Sequence, residues 1–372
     1  MKKKVIKKSL GPVFSPVLKQ PSDHIIQIDF LKGFAIVSVI LLHSLIPEIW
    51  LLLGAPYHIW QAVPLFMLIA GFTGAYAYQR HESSTPGQCF DKTLLIRRFK
   101  RILKPYSLYW IIQIVVLVII FHQSFDIISL ALNFIKGGSS WGAYFVPAIL
   151  QSILIVPILY LLALRNPDLM VILALAVNVL YELIILLCGI QQGLVELLYF
   201  RYFFAGALGV WLVTKKKRPL GWLIVGGFIG FVFLTLVCYT PILSSFNEFS
   251  GYAGVFHAPA YLWTLVVAIA GLHYLPKTAL TRFYRYLENT GKASWHIFLV
   301  QMFYFILPGN IIINNFMLPL ANSIPAPINI LVAILAAIIH VTLCVIIGYG
   351  WYLLELFWSG KSPEKIILLK MD

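Results

Sequence analysis

The sequence predicts an all-α polytopic membrane protein, a bundle of about ten transmembrane helices. Of its 372 residues, 60% are hydrophobic and only 11% are charged, and the mean hydropathy is +0.87. Soluble domains carry about 25% charged residues, so a soluble fold of this size is excluded. Apolar segments of about 18 residues or more recur along the whole chain, and each is long enough to cross a bilayer as a helix.

The segments leave no room for a soluble domain between them. We expect a tail at 1–28, a membrane domain at 29–356 and a second tail at 357–372. The predicted spans within the membrane domain are 30–52, 58–78, 105–122, 143–164, 168–189, 197–213, 219–239, 255–275, 294–314 and 327–356.

The distribution of Lys and Arg predicts the orientation of the bundle. These residues concentrate in the tails and in alternate loops, at 2–19, 80–104, 215–218, 277–292 and 361–370. Short loops rich in Lys and Arg stay on the cytoplasmic side, so both termini are predicted to be cytoplasmic. The net charge of +14 then belongs to one membrane face, and we expect no nucleic-acid partner. Four scattered cysteines have no metal-ligand spacing, and we expect no metal.

The first span carries Lys32 near its cytoplasmic end and His43 about half-way across. Lys32 and His43 are 11 residues apart, which puts them on one helix face with a rise of roughly 16 Å between them. An ionisable residue inside a span is a candidate functional residue, so His43 is a candidate catalytic group. Structural roles are the alternatives: Asp29 and Lys32 have the spacing of an ion pair, and a neutral His43 can donate to a carbonyl of a neighbouring helix.

Two further segments stand out before the third span. In the second span, Pro64 frees a backbone carbonyl and Gly71 permits close approach of another helix. A basic cluster at 97–104 then precedes the third span, and Arg98 and Arg101 share a helix face within it. The cluster either binds lipid headgroups and fixes topology, or presents a pair of guanidinium groups to a phosphate-bearing donor.

These motifs, in this order, resemble the acyltransferase 3 family of integral membrane acyltransferases, and within it the fucose O-acetylase type. That family has Arg or Lys, ten residues and then His in its first span, as in Lys32 and His43. It also has a Phe-rich motif ending in Ser-Gly, matched by 64–71 with Ala in place of Ser, and an Arg-x-x-Arg motif, matched by Arg98 and Arg101.

A late family motif, Ser-Tyr-x-Ile-Tyr-Leu-x-His, is similar to the segment Ser294-Trp-His-Ile-Phe-Leu-Val-Gln301. Gln301 replaces the last imidazole of that motif, and His296 lies nearby on the same predicted helix. The resemblance covers nearly the whole chain.

The resemblance implies transfer of an acyl group, usually acetyl from acetyl-CoA, to a hydroxyl of a sugar or cell-surface glycan. His43 would act as a base or as a transient acyl carrier, both of which suit an imidazole. Lys32, Arg98 and Arg101 would hold the phosphates of CoA at the cytoplasmic side. The expected location is the plasma membrane, with the lipid bilayer, acyl-CoA and a glycan acceptor as partners.

Candidate acceptor-binding residues come from later spans. Glu182 and Asn178 share a helix face, and either orient sugar hydroxyls or pair with a cation of the bundle. Arg201 either binds an anionic group of an acceptor or, as we expect, snorkels to the outer interface. Trp141 is a predicted interface residue or stacks on a sugar ring. The remaining buried histidines, His257 and His340, are expected to be structural.

A rival function from another class is a secondary transporter or exporter of a sugar or glycolipid, with Lys32, His43 and Glu182 as a relay. A third is an inactive family member that serves in assembly, against which the intact Lys32 and His43 argue. The basic cluster discriminates the first two, because a donor site for CoA requires Arg98 and Arg101 whereas a transporter needs them only for topology.

Overall fold

The computed structural model describes residues 24–45, 47–190, 195–215, 220–242, 257–313, 315, 318–323 and 328–360. Regular structure within these ranges is entirely helical, and they contain no β-strand. The predicted all-α class is confirmed. Most of the first predicted tail, and the basic residues at 216–218 and 361–370, lie outside the described residues.

Twelve described helices have ten residues or more. They are α1 Ile26–Ser44, α2 Ala62–Arg80, α3 Lys92–Ile119, α4 Ile127–Lys136, α5 Phe145–Arg165, α6 Pro167–Cys188, α7 Phe203–Thr214, α8 Leu220–Tyr239, α9 Ala258–Tyr274, α10 Arg282–Lys292, α11 Ser294–Ile306 and α12 Ile328–Trp358. Shorter helical segments lie between them at Pro47–Leu52, Ala55–Tyr57, Pro86–Cys89, Tyr199–Tyr202, Pro308–Ile312 and Leu318–Ser323.

The predicted spans coincide with helices along the chain. Within the described residues, seven helices are long and apolar enough to cross a membrane, namely α1, α2, α3, α5, α6, α8 and α12. Helices α2 and α3 are counted together with the short helical segments before them. The other three predicted spans coincide with the shorter helices α7, α9 and α11. Helices α4 and α10 lie in segments that the sequence leaves as loops.

The first span ends earlier than the sequence predicts. Helix α1 stops at Ser44, Leu45 is extended with φ −90° and ψ 146°, and a separate helix begins at Pro47. Proline has no N–H with which to continue the helical hydrogen bonding, so its position explains the break. His43 therefore lies in the last turn of α1, whereas a helix spanning 30–52 would place it near the middle.

The third span begins earlier than the sequence predicts. Helix α3 is continuous from Lys92, and Asp91 caps it by accepting a hydrogen bond from the Leu94 N–H at 2.8 Å. Pro105, taken as the start of the span, lies inside the helix. Transmembrane helices tolerate such a proline because neighbouring groups can satisfy the freed carbonyl. The basic cluster thus lies within the N-terminal half of α3.

Helices α2 and α7 pack with their backbones in close contact. A Cβ atom on Gly71 would lie 2.1 Å from the Gly206 carbonyl oxygen, and one on Gly209 would lie 1.9 Å from the Leu68 carbonyl oxygen. No side chain fits at such distances, so only glycine allows this approach. The role predicted for Gly71 is confirmed.

Helix α1 lies against α10, α11 and α12, and these contacts define two ends of the bundle. At the start of α1, a Cβ on Gly291 would lie 1.8 Å from the Asp29 carbonyl oxygen. At its other end, the rings of His43 and Phe305 are 5.7 Å apart, so α1 and α11 run in the same direction. We call these the Lys32 end and the His43 end.

Candidate functional site

His43 is partly buried at the end of α1, within a group of aromatic side chains. Its ring lies 6.2 Å from the ring of Trp141 and 5.7 Å from that of Phe305, measured between centroids. The backbone at Gly142 is also close, since a Cβ there would lie 3.9 Å from His43 Nε2 and 4.0 Å from Phe298. Trp141 is 76% exposed, so one side of this group is open.

A loop rich in glycine covers His43. We call residues 137–142, Gly-Gly-Ser-Ser-Trp-Gly, the glycine loop. Gly137, Gly138 and Gly142 have φ values of +95°, +106° and +82°, a region that side-chain-bearing residues avoid. The three glycines let the chain turn tightly enough to bring Trp141 beside His43.

Buried polar groups of α3 hold the glycine loop in place. Gln113 Nε2 donates to the Ser140 hydroxyl and to the Tyr109 hydroxyl, both at 2.8 Å, and the Ser139 N–H donates to Gln113 Oε1 at 3.2 Å. The side chain of Gln113 is fully buried. A satisfied buried network of this kind fixes one loop conformation.

Helix α4 precedes the loop and is anchored to α3 as well. Trp110 Nε1 donates to Asn133 Oδ1 at 2.8 Å, and the Tyr106 hydroxyl donates to the Phe134 carbonyl at 2.6 Å. Asp126 caps α4 by accepting hydrogen bonds from the Ser129 N–H and hydroxyl, and these bonds lower the pKa of its carboxyl group. Sequence reasoning named Trp141 but missed the loop and its anchors, although the three closely spaced glycines were a visible signal.

At the Lys32 end, the predicted ion pair is present. Lys32 Nζ lies 3.1 Å from Asp29 Oδ1, and His24 Nε2 lies 2.9 Å from Asp29 Oδ2. Asp29 is only 3% exposed, so its carboxylate charge needs a cationic partner, which Lys32 supplies. The lysine itself remains partly exposed.

Arg101 and His296 both lie on the Lys32 side of the bundle. His296 Nε2 lies 2.6 Å from Glu355 Oε2, and the Lys104 amine is 3.7 Å from the other oxygen of that carboxylate. Arg101 is close enough to interact electrostatically with His296 and with Tyr352. Tyr352 also interacts electrostatically with Asp29. His296 therefore belongs to the Lys32 end and does not stand beside His43.

Arg98 has different neighbours from Arg101, although the two share a helix face. Its guanidinium donates to the Tyr78 hydroxyl at 2.7 Å and lies 4.6 Å from the centre of that ring. Tyr78 is fully buried and Arg98 is half-buried, whereas Arg101 is exposed. The two arginines thus differ in how freely they can reach a ligand.

Glu182 lies in a polar group between α6 and α9. It accepts hydrogen bonds from Asn178 Nδ2 at 2.7 Å and from the Ala258 N–H at 3.3 Å, and its other oxygen is 3.1 Å from His257 Nδ1. Asn178 and Glu182 therefore share a helix face, as the sequence predicts, and they are hydrogen-bonded to each other. His257 is the bundle partner that the sequence left unassigned.

Arg201 is buried, contrary to the expected snorkelling. It is 6% exposed, and its guanidinium lies 3.4 Å from Glu196 Oε1. The Tyr261 hydroxyl donates to its backbone carbonyl at 2.7 Å. Tyr144, which follows the glycine loop, also interacts with Arg201 electrostatically, so the arginine sits in a tyrosine-rich interior and does not reach an interface.

The fold and the arrangement of these groups define an integral membrane protein with an imidazole at one end of α1 and cationic groups at the other. Comparison with models of known protein families matches residues 25–349 to acyltransferase 3, described as an acyltransferase domain. Because the match covers most of the chain, the protein belongs to this family and is an acyltransferase. No curated protein and no solved structure matches the chain.

Proposed function

We propose that this membrane acyltransferase moves an acetyl group from acetyl-CoA to a hydroxyl of a sugar or cell-surface glycan, with His43 at the reacting centre. The observation that carries the proposal is the position of His43, partly buried beside the glycine loop and the exposed Trp141. The proposed location is the plasma membrane.

The imidazole of His43 can serve this reaction in two ways. As a general base, it takes the proton of the acceptor hydroxyl while that oxygen attacks the thioester carbonyl, and CoA leaves as the thiolate that is then protonated. As a carrier, it first takes the acetyl group on nitrogen with release of CoA, and then transfers it to the acceptor oxygen. Both routes end with an ester and free CoA.

The donor is proposed to bind at the Lys32 end. Lys32, Arg101 and Arg98 are cationic groups of the kind that bind phosphates, and of the two arginines Arg101 is the more exposed. Helix α1 is regular between Lys32 and His43, so the rise of roughly 16 Å between them holds. This rise is comparable with an extended pantetheine arm, which supports a thioester reaching from one end towards the other.

The acceptor is proposed to bind at the His43 end. Trp141 offers an exposed aromatic face within reach of His43, which suits stacking on a sugar ring. Glu182 and Arg201 are proposed as more distant acceptor contacts. Both already have protein partners, among them His257 for Glu182 and Glu196 for Arg201. No transporter is proposed, because the family is one of acyltransferases. Among the described residues, Lys32 pairs with Asp29 and Glu182 pairs with His257, so these two do not form a relay with each other.

The function is tested with purified protein in detergent or lipid nanodiscs, acetyl-CoA labelled in the acetyl group, and a panel of glycan acceptors. We expect label to appear in an alkali-labile ester on an acceptor, as O-acetylation requires. Absence of labelled ester on every acceptor, with folded protein, contradicts the proposal.

A charge-matched pair of variants tests the donor site. Replacing both Arg98 and Arg101 by alanine should weaken acetyl-CoA binding at least about tenfold, because each guanidinium loses charge-assisted hydrogen bonds to phosphate. The control replaces Arg97 and Lys100, which are exposed on the same helix and carry the same total charge. Equilibrium titration of acetyl-CoA measures both. Equal weakening in both variants would mean that only net charge matters.

A further inference from the structure

Three polar side chains deep in the bundle have no hydrogen-bond partner within the described part of the chain. The unpaired atoms are both amide atoms of Gln301, the hydroxyl of Tyr304 and both ring nitrogens of His340. Gln301 and His340 are each 1% exposed and Tyr304 is 6% exposed. Buried polar groups are almost always hydrogen-bonded, so five unpaired atoms in three residues require an explanation.

The three residues lie in one place. Gln301 and Tyr304 are three residues apart on α11 and share a face of that helix. The rings of Tyr304 and His340, the latter on α12, are 5.4 Å apart.

The group adjoins the proposed reacting centre. The Phe305 ring is 5.8 Å from His340 and 5.7 Å from His43, so a single aromatic side chain separates the two imidazoles. Gln301 is four residues before Phe305, which places the amide on the same side of α11.

The chemistry of the unpaired atoms indicates what they bind. An amide, a phenol and a neutral imidazole together supply both donors and acceptors and carry no charge. A phosphate or carboxylate would need a cation, and the three residues supply none. Hydroxyl groups, each of which donates and accepts, match this set.

We propose that Gln301, Tyr304 and His340 form a binding site for hydroxyl groups of a neutral sugar, beside His43. The inference rests on the proposed function for its role, because the site would hold the acceptor while His43 reacts with one of its hydroxyls. It assigns the acceptor as uncharged at the sugar ring that is modified.

The test combines binding and kinetics on the full chain. The probes are the methyl glycosides of glucose, galactose and N-acetylglucosamine. We expect at least one of them to raise the Tm of the wild type. Gln301→Leu with His340→Leu should abolish that rise, increase the acceptor KM at least tenfold and leave acetyl-CoA binding unchanged. The unliganded Tm of the double variant should rise, because unpaired buried polar groups are removed.

Two further variants make the test decisive. Tyr304→Phe removes one hydroxyl without changing the ring, and it should weaken the glycoside effect even if the double variant fails to fold. Thr342→Val is the control on α12, since that hydroxyl bonds to the Ile338 carbonyl of its own helix. It should change neither the Tm shift nor the KM.

The outcomes separate this site from the proposed function. A glycoside shift that the variants abolish supports the site even if the wild type transfers no acetyl group. Acetyl transfer with an unchanged acceptor KM in Tyr304→Phe and in the double variant overturns the site and leaves the function standing. If the double variant has a raised unliganded Tm but keeps the glycoside shift, the unpaired atoms bind buried water and the sugar site is overturned. The sugar site is also overturned if no glycoside raises the Tm of the wild type.

Discussion

Replacing His43 by alanine should lower the kcat of acetyl transfer by about 10²- to 10⁴-fold, the usual contribution of a general acid or base. The fall should appear with every acceptor, because in either proposed role the imidazole acts at the reacting centre and not on the rest of the sugar. Acetyl-CoA binding should change little, because the proposed donor contacts lie at the Lys32 end. Initial rates with labelled acetyl-CoA measure the effect, and equilibrium titration measures the donor affinity.

A matched control uses His81, an exposed histidine just after α2. His81→Ala should keep the rate of the wild type. If His43→Ala transfers acetyl as fast as the wild type while remaining folded, the assignment of His43 fails.

The same protein can distinguish a base from an acyl carrier. A carrier exchanges labelled CoA into acetyl-CoA without any acceptor, because acetyl-imidazole forms and reverses. A base catalyses no such exchange, since transfer then needs the acceptor oxygen. Exchange that persists in His43→Ala would assign the carrier to another residue.

The features that sequence predicted well depend on local spacing. The Asp29–Lys32 ion pair and the Asn178–Glu182 hydrogen bond join residues three and four apart on one helix. Gly71 was recognised because a glycine within an apolar span has few purposes other than close helix packing. Such inferences need only the helical repeat and the chemistry of the side chains.

The features that it did not predict depend on contacts between distant segments. Nothing near Arg98 in the sequence shows that it bonds to Tyr78, twenty residues earlier, while Arg101 faces other helices. His257 meets Glu182 across 75 residues. Arg201 was expected at an interface because its neighbours are aromatic, yet the flanking Tyr199 and Tyr202 are fully buried and Arg201 itself is buried.

The glycine loop yields the second large prediction. Gly137→Ala should reduce kcat/KM for acetyl transfer by about 10²-fold, because small displacements of positioning groups have effects of this size. The φ of Gly137 is +95°, and a Cβ there would lie 2.0 Å from the Ala143 carbonyl oxygen. The loop cannot accept this atom without moving, and Trp141 and Gly142 would move with it away from His43.

Gly189→Ala provides the control, because it changes the same residue type at another positive φ. Gly189 has φ +57° at the end of α6, and a Cβ there would meet nothing within 4 Å. Gly189→Ala should lower the free energy of unfolding by about 1–2 kcal/mol, the cost of a left-handed backbone at a residue with a side chain, and should leave activity unchanged. Transfer assays and thermal unfolding of both variants separate the two effects. Since the proposed donor site lies at the Lys32 end, acetyl-CoA affinity should survive in Gly137→Ala. Equal activity in both variants would show that the loop does not position the reacting groups.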